Sequence, residues 1–238
     1  MRVAIIDLGT NTFKLLVAER PEGATSGLHI LHSEEIGVLL GRGGVEKGLL
    51  TPEAMERGMA TLRVLAGKAK DLGAERVGAF GTSAMRNAGN GAAFAGRIQA
   101  ELGITVRIIP GEEEASLILD GARQAVSFTG KPMLVMDIGG GSTEFILATD
   151  KALMWKHSFE LGTTRLFERF PGIDPMSMDT QLRMARHIDA QLEGLWAVMD
   201  RHWPTALVGS AGSFDTIARM IAIQRGTTIA GDACTTTF

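Results

Sequence analysis

The chain has 238 residues, 45% hydrophobic and 21% charged, enough for one large domain or two small ones with a buried core. A formal net charge of −3 excludes broad electrostatic binding of nucleic acid, so an anionic ligand must be held by local groups. The one cysteine, Cys234, excludes an internal disulfide; with no secretory segment before Asp7 and no membrane-length apolar run, a soluble cytoplasmic protein with no membrane partner is expected.

Val3–Ile6 reads as a short buried strand that enters the turn Asp7-Leu8-Gly9-Thr10-Asn11-Thr12, and Phe13–Glu19 reads as the return strand. A turn is expected at Gly23–Gly27 and a third strand over Leu28–Val38. Arg42, Gly43, Gly44 and Gly48 mark a flexible loop suited to moving over a ligand. Thr51 as N-cap and Pro52 at the first helical position open a helix. Its apolar side is Met55, Met59, Leu62, Leu65, Ala69 and Leu72, the methionines serving as core filler. The next strand, Arg76–Phe80, runs into the polar loop Gly81–Asn90, at the kind of strand end where open α/β sheets place ligands. Arg86 in that loop either forks onto a phosphate or is a plain surface arginine.

A helix over 92–102 and a strand over Val106–Ile109 lead through Pro110-Gly111 to Glu112, Glu113 and Glu114. Acids in a first helical turn are favoured by the macrodipole and need no function. Yet this helix begins beside a strand end, and Ala115, Ile118 and Leu119 fix which glutamate faces inward. An inward carboxylate is a candidate base for water, one that the helix terminus is expected to hold ionised. The residues alone leave both readings open.

Met133–Met136 and Phe145–Leu147 read as buried strands flanking Asp137-Ile138-Gly139-Gly140-Gly141-Ser142-Thr143-Glu144. Three glycines here suit a tight turn that offers bare N–H groups to a phosphate oxygen. Asp137 and Glu144 would repel that phosphate unless a hard cation, Mg²⁺ above all, lies between. Asp7–Ala18 aligns on Asp137–Ala148 without gaps at an offset of 130 residues. Ordinary hairpins can look like this singly; two that share the acid and its spacing point to a duplicated unit with the turns facing across a cleft.

Beyond the second turn, a strand is expected over Ala152–Ser158 and a short helix ending at Pro171. One long helix is expected over Ser177–Arg201, with Met178, Leu182, Ala185, Ile188, Leu192, Leu195 and Met199 on one side. Ala206–Val208 is a strand, and Gly209-Ser210-Ala211-Gly212-Ser213 turns into a helix whose start offers a second place for phosphate or a nucleoside. The segment from Gly226 to Thr237 has no clear element. The five histidines show no metal spacing, and no Gly-x-Ser-x-Gly elbow, P-loop lysine or Cys/His cluster is present.

Taken together, the Asp7–Thr12 turn, Gly81-Thr82-Ser83 with Arg86 and Asn90, Gly111 with Glu113-Glu114-Ala115, Asp137–Glu144 and Gly209–Gly212 occur in one order. In this the chain resembles the exopolyphosphatase/guanosine pentaphosphate phosphohydrolase (Ppx/GppA) family, from residue 1 to about 220. The resemblance implies an α/β fold of two ribonuclease-H-like (actin-like ATPase) domains with a central inter-domain cleft. The first would span 1–124 and the second 125–238, the latter incomplete at its C-terminal end. It implies a Mg²⁺-dependent exophosphatase that removes the terminal phosphoryl group of polyphosphate or pppGpp, and leaves room for a homodimer. Carried over by position, the catalytic residues are Glu114, as base, and its neighbour Glu113. Thr10, Asn11, Thr12, Arg86, Gly139, Gly140, Gly141 and Ser142 would bind phosphoryl oxygens. Asp137, Glu144 and Asp7 would serve the metal, and Gly209, Ser210 and Gly212 would line the nucleoside side. Pro110 stands where many members have Ser. The competing expectations are an ATP-dependent small-molecule kinase of the same superfamily and a non-catalytic nucleotide or alarmone sensor.

Overall fold

Two sheets, each seeded by one copy of the repeated hairpin, carry the fold in the computed structural model, which describes residues 1–20 and 27–227. In the first hairpin, β1 (Arg2–Leu8) buries Ala4, Ile6 and Leu8 on one face, and β2 (Thr12–Glu19) buries Phe13, Leu15 and Val17. That alternation has the period of a strand with one packed face. With β3 (His29–Gly37), β4 (Arg76–Gly81) and β5 (Val106–Ile108) the first sheet runs β3-β2-β1-β4-β5. α1 (Pro52–Asp71) and α3 (Gly91–Leu102) cover it, packing Met59, Leu62, Leu65, Phe94 and Ile98 on the buried strand residues. Met59 is fully buried and Met55 packs on the same core, as expected of filler.

The second sheet, β8-β7-β6-β9, is built from β6 (Met133–Ile138), β7 (Thr143–Ala148), β8 (Leu153–Phe159) and β9 (Ala206–Ser210). The repeat persists in three dimensions. β1 pairs antiparallel with β2 and parallel with β4; β6 does the same with β7 and β9. Asp7 lies opposite Lys14 in one hairpin and Asp137 opposite Glu144 in the other. Each turn is closed by an equivalent bond: Gly9 N–H donates to the Thr12 carbonyl, and Gly139 N–H to the Ser142 carbonyl, both at 3.0 Å. β7 is buried on both faces. Phe145 and Leu147 meet Leu134, Leu161, Leu192 and Leu195, while Ile146 and Ala148 meet Ala115 and Leu119 of α4 (Gly111–Ala125). α4 therefore packs on the second sheet although it precedes it in the chain.

Several local expectations change. The polar loop after β4 contains a short helix, α2 (Ser83–Asn87), which carries Arg86 at its C-terminal end. The segment leading from β3 toward the glycine-rich loop is tied down: Val38 and Leu39 N–H both donate to the Asn11 carbonyl at 2.8 Å, and Arg57 holds the Val38 and Leu39 carbonyls at 2.9 Å. α5 (Thr163–Arg169) follows β8 as expected. The expected long helix is two, α6 (Met178–Gln191) and α7 (Glu193–His202), broken at Leu192 beside Gly194, whose missing side chain weakens a helix locally. Leu192 and Leu195 both reach the second core, whereas Met178 and Leu182 at the far end of the stripe are 68% and 50% exposed. α8 (Ala211–Gln224) closes the described chain. Residues 23–26 of the turn expected at Gly23–Gly27, the segment after 227 and Cys234 lie outside the described residues.

α1 starts as its sequence indicates, the Thr51 Oγ1 accepting the Ala54 N–H at 3.2 Å ahead of Pro52. Thr51→Ala is expected to cost about 1 kcal/mol of stability by removing that cap, read by chemical denaturation, with turnover unchanged.

Candidate active site

The two turns meet. A Cβ on Gly140 would lie 2.6 Å from Asn11 Cγ, and one on Gly141 would lie 2.5 Å from both Thr10 Oγ1 and Ser83 Oγ. These glycines are thus required by close approach, and the neighbour that approaches is the first turn itself. Asn11 sits between the halves, its Nδ2 donating to Thr163 Oγ1 at 3.5 Å and its Oδ1 accepting from the Thr164 hydroxyl. Thr163 and Thr164 N–H in turn donate to the Gly139 and Gly140 carbonyls at 3.0 and 2.9 Å. α5 thereby fastens the second turn from behind.

Four acids lie beside the turns, near enough for their charges to act on one another. Asp7 ends β1, Asp137 lies at the same place on β6, Glu144 opens β7, and Glu114 comes from the first turn of α4. Glu144 is 2% exposed and accepts from Ser142 Oγ and Ser158 Oγ, both at 2.7 Å. Burial, then the charge on Glu114, push its carboxyl up to about 8. Asp7 stays open to water on one side with protein around the others; burial and the charges of Glu114 and Asp137 push it up to about 7. Burial also raises Asp137, against a hydrogen bond from Ser210 and the nearby charge of Lys14.

Glu114 accepts from Arg86 Nη1 at 2.8 Å, yet burial outweighs that partner and raises its pKa. The helix terminus is expected to favour the ionised carboxylate; desolvation acts the other way and raises the pKa, which makes Glu114 a better proton acceptor. Glu113, rotated about 100° round the helix, pairs instead with Arg107 of β5, and Glu112 with His157, so neither shares Glu114's partners. Glu113 thus stands apart from Glu114, paired toward β5.

The remaining candidate residues divide. Thr10 is 4% exposed and Ser142 3%, with the Ser142 hydroxyl committed to Glu144. Thr12 closes the first turn through its carbonyl. Arg86 spends Nη1 on Glu114 and on the Ile109 carbonyl at 3.2 Å, while its buried Nη2 has no hydrogen-bond partner among the described residues. Gly209 is required by packing against Phe214, whose ring a Cβ would meet at 2.1 Å. Ser210 serves Asp137, and Gly212 faces open space.

Sequence reasoning missed three groups. Lys14 stands where the repeat places Glu144 and brings a positive charge near both Asp7 and Asp137; the alignment of Asp7–Ala18 on Asp137–Ala148 contains that signal. Glu160 and Arg165 also bridge the halves: Arg165 donates to the Gly141 carbonyl at 3.0 Å, to Glu160 at 2.6 Å and to the Val45 carbonyl at 3.1 Å. No local pattern marks either of them.

Among the described residues no three His, Cys, Asp or Glu side chains come close enough to hold a metal by themselves. Asp7, Asp137 and Glu144 therefore do not form a complete protein shell. The donor chemistry nonetheless fits Mg²⁺, which commonly takes one or two carboxylates and completes its shell with water and phosphate oxygens. Crowded carboxylates with raised pKa values also favour a compensating cation. Asp7 and Glu144 bind protons more tightly folded than unfolded, so without metal their contribution to stability falls as pH rises from the usual carboxylate range through about 8. Added Mg²⁺ should hence raise the melting temperature more at pH 8 than at pH 6; an equal rise at both would contradict its placement beside these acids.

The model of the Ppx/GppA phosphatase family matches residues 16–236. Exopolyphosphatase 2 of Mycobacterium tuberculosis is 33% identical over 225 residues, covering 92% of this chain and 70% of that protein. The guanosine-5′-triphosphate,3′-diphosphate pyrophosphatase of Vibrio vulnificus is 31% identical over 229 residues, covering 93% of this chain and 44% of that one. The crystal structure of an exopolyphosphatase from Cytophaga hutchinsonii superposes with a TM-score of 0.91 at 40% identity, covering 97% of this chain and 73% of that one. No helix among the described residues is long and apolar enough to cross a membrane.

Proposed function

The chain belongs to the Ppx/GppA phosphatase family, and from that premise we propose that it is an exophosphatase removing the terminal phosphoryl group of polyphosphate or pppGpp with water as acceptor. The observation that carries this reading is the close approach of the two Asp-headed turns, with Glu114 near enough for its charge and that of Asp137 to act on Asp7. In this reading the two hairpin sheets are the cores of two ribonuclease-H-like domains, and the turns face one another across the cleft between them.

Phosphoryl transfer needs positioning and charge neutralisation more than covalent help from the protein. Backbone N–H groups of the turns and the free Nη2 of Arg86 receive phosphoryl oxygens. Arg86 Nη1 orients Glu114, whose burial-raised pKa suits it to take a proton from the attacking water. Asp137, Asp7 and Glu144 provide the negative oxygens toward Mg²⁺, and the charge of Lys14 partly offsets the repulsion between Asp7 and Asp137. Mg²⁺, when bound, neutralises charge that develops on the phosphoryl oxygens.

The test is to incubate the protein with Mg²⁺ and polyphosphate, or with pppGpp, in the absence of any acceptor, and to measure released phosphate. Steady release is expected. Turnover that requires an added alcohol would instead make it a kinase, and binding without turnover a sensor.

A further inference from the structure

Beside the paired turns, a densely bonded polar corner is built on Glu160, in the bend between β8 and α5. Its Oε2 accepts from Ser83 Oγ at 3.2 Å, Asn87 Nδ2 at 2.7 Å and Arg165 Nη2 at 2.6 Å, and its Oε1 lies 3.8 Å from Arg86 Nη2. Two neutral donors and two guanidinium groups around one anion are the set that a phosphoryl group collects. The corner adjoins the second turn, since a Cβ on Gly141 would lie 2.5 Å from Ser83 Oγ. Two observations mark the carboxylate as replaceable. Arg86 Nη2 is buried beside it with no hydrogen bond among the described residues, and the Glu160 side chain is 42% exposed on a bend, so it can leave without unfolding a helix or strand.

We infer that Ser83, Asn87, Arg86 and Arg165 form a second phosphoryl subsite, which Glu160 occupies as a resident carboxylate until a phosphate chain displaces it. The inference rests on the reading of the turns as the site of the terminal phosphoryl group. The second subsite takes the next phosphoryl group of the same chain, satisfies Arg86 Nη2, and gives linked phosphates an advantage over orthophosphate. Glu160 in turn returns as the shortened chain leaves.

The test is calorimetric titration with methylenediphosphonate, a non-hydrolysable pair of linked phosphoryl groups, and separately with orthophosphate, at one Mg²⁺ concentration. Glu160→Ala is expected to bind methylenediphosphonate about tenfold more tightly than the parent, and Glu160→Gln about threefold, with orthophosphate affinity changed less than about twofold. Unchanged or weaker binding of methylenediphosphonate by Glu160→Ala would overturn the inference, because a residue serving only to clasp the halves would give that result. An equal gain for orthophosphate would overturn it too, by showing a free-anion site. Binding is read without turnover, so this outcome stands apart from whether the parent releases phosphate from polyphosphate.

Discussion

Glu114→Gln is expected to lower kcat by about 10²–10⁴-fold, the range lost when a positioned general base is removed. The amide oxygen can still accept from Arg86 Nη1, so the ion-pair partner stays in place and the fold is retained. Substrate affinity should change little, because Glu114 acts on the water and not on the phosphate. The same substitution at Glu113, which pairs with Arg107 on the outer side of the helix, is expected to leave kcat within about twofold of the parent. Steady-state kinetics on all three proteins checks the assignment. Loss of turnover in Glu113→Gln with retention in Glu114→Gln would reverse it.

The second large effect is expected at Gly141. An alanine there puts a methyl group 2.5 Å from Thr10 Oγ1 and Ser83 Oγ, closer than real contacts allow, and Thr10 is buried and has little room to yield. The turns must then separate by a fraction of an ångström or more. Displacements of about 1 Å in a positioning site cost on the order of 10²-fold in rate, so Gly141→Ala should lose activity on that scale. Gly121→Ala is the matched control. Gly121 lies inside α4 with nothing near its Cβ position, so alanine there should raise stability by about 0.5–1 kcal/mol and leave turnover alone. If Gly141→Ala behaves like Gly121→Ala in denaturation and kinetics, the contact between the turns is not the one that organises the site.

What the sequence revealed of this arrangement, and what it hid, follows from the range of the interactions. Asp7-x-Gly and Asp137-x-Gly are local signals, and their repetition at a fixed offset announces the matched hairpins, which the equal Gly9–Thr12 and Gly139–Ser142 bonds bear out. The cap at Thr51 and the methionines of α1 are likewise decided by near neighbours and one packed face. Glu160 and Arg165 escape such reading because their partners Ser83, Asn87 and Val45 lie 73 to 120 residues away in the chain. Which glutamate of the 112–114 triplet turns inward was half legible. Ala115 and Leu119 fix the buried face of α4, but only the positions of Arg107, His157 and Arg86 sort the three acids. The direction in which the Glu114 pKa moves is hidden for the same reason: the helix terminus is a local feature, while burial is a property of the assembled fold. The break of the expected long helix at Leu192 is hidden because the apolar stripe continues across it, Leu192 and Leu195 both reaching the second core.

In the proposed reaction, water attacks the outermost phosphoryl group held between the two turns. Turnover of polyphosphate in ¹⁸O-labelled water with Mg²⁺ and no acceptor checks this, by mass spectrometry of the products. One solvent oxygen is expected in each released orthophosphate and none in the shortened chain. Label in the shortened chain, or no orthophosphate until an acceptor is added, would contradict it.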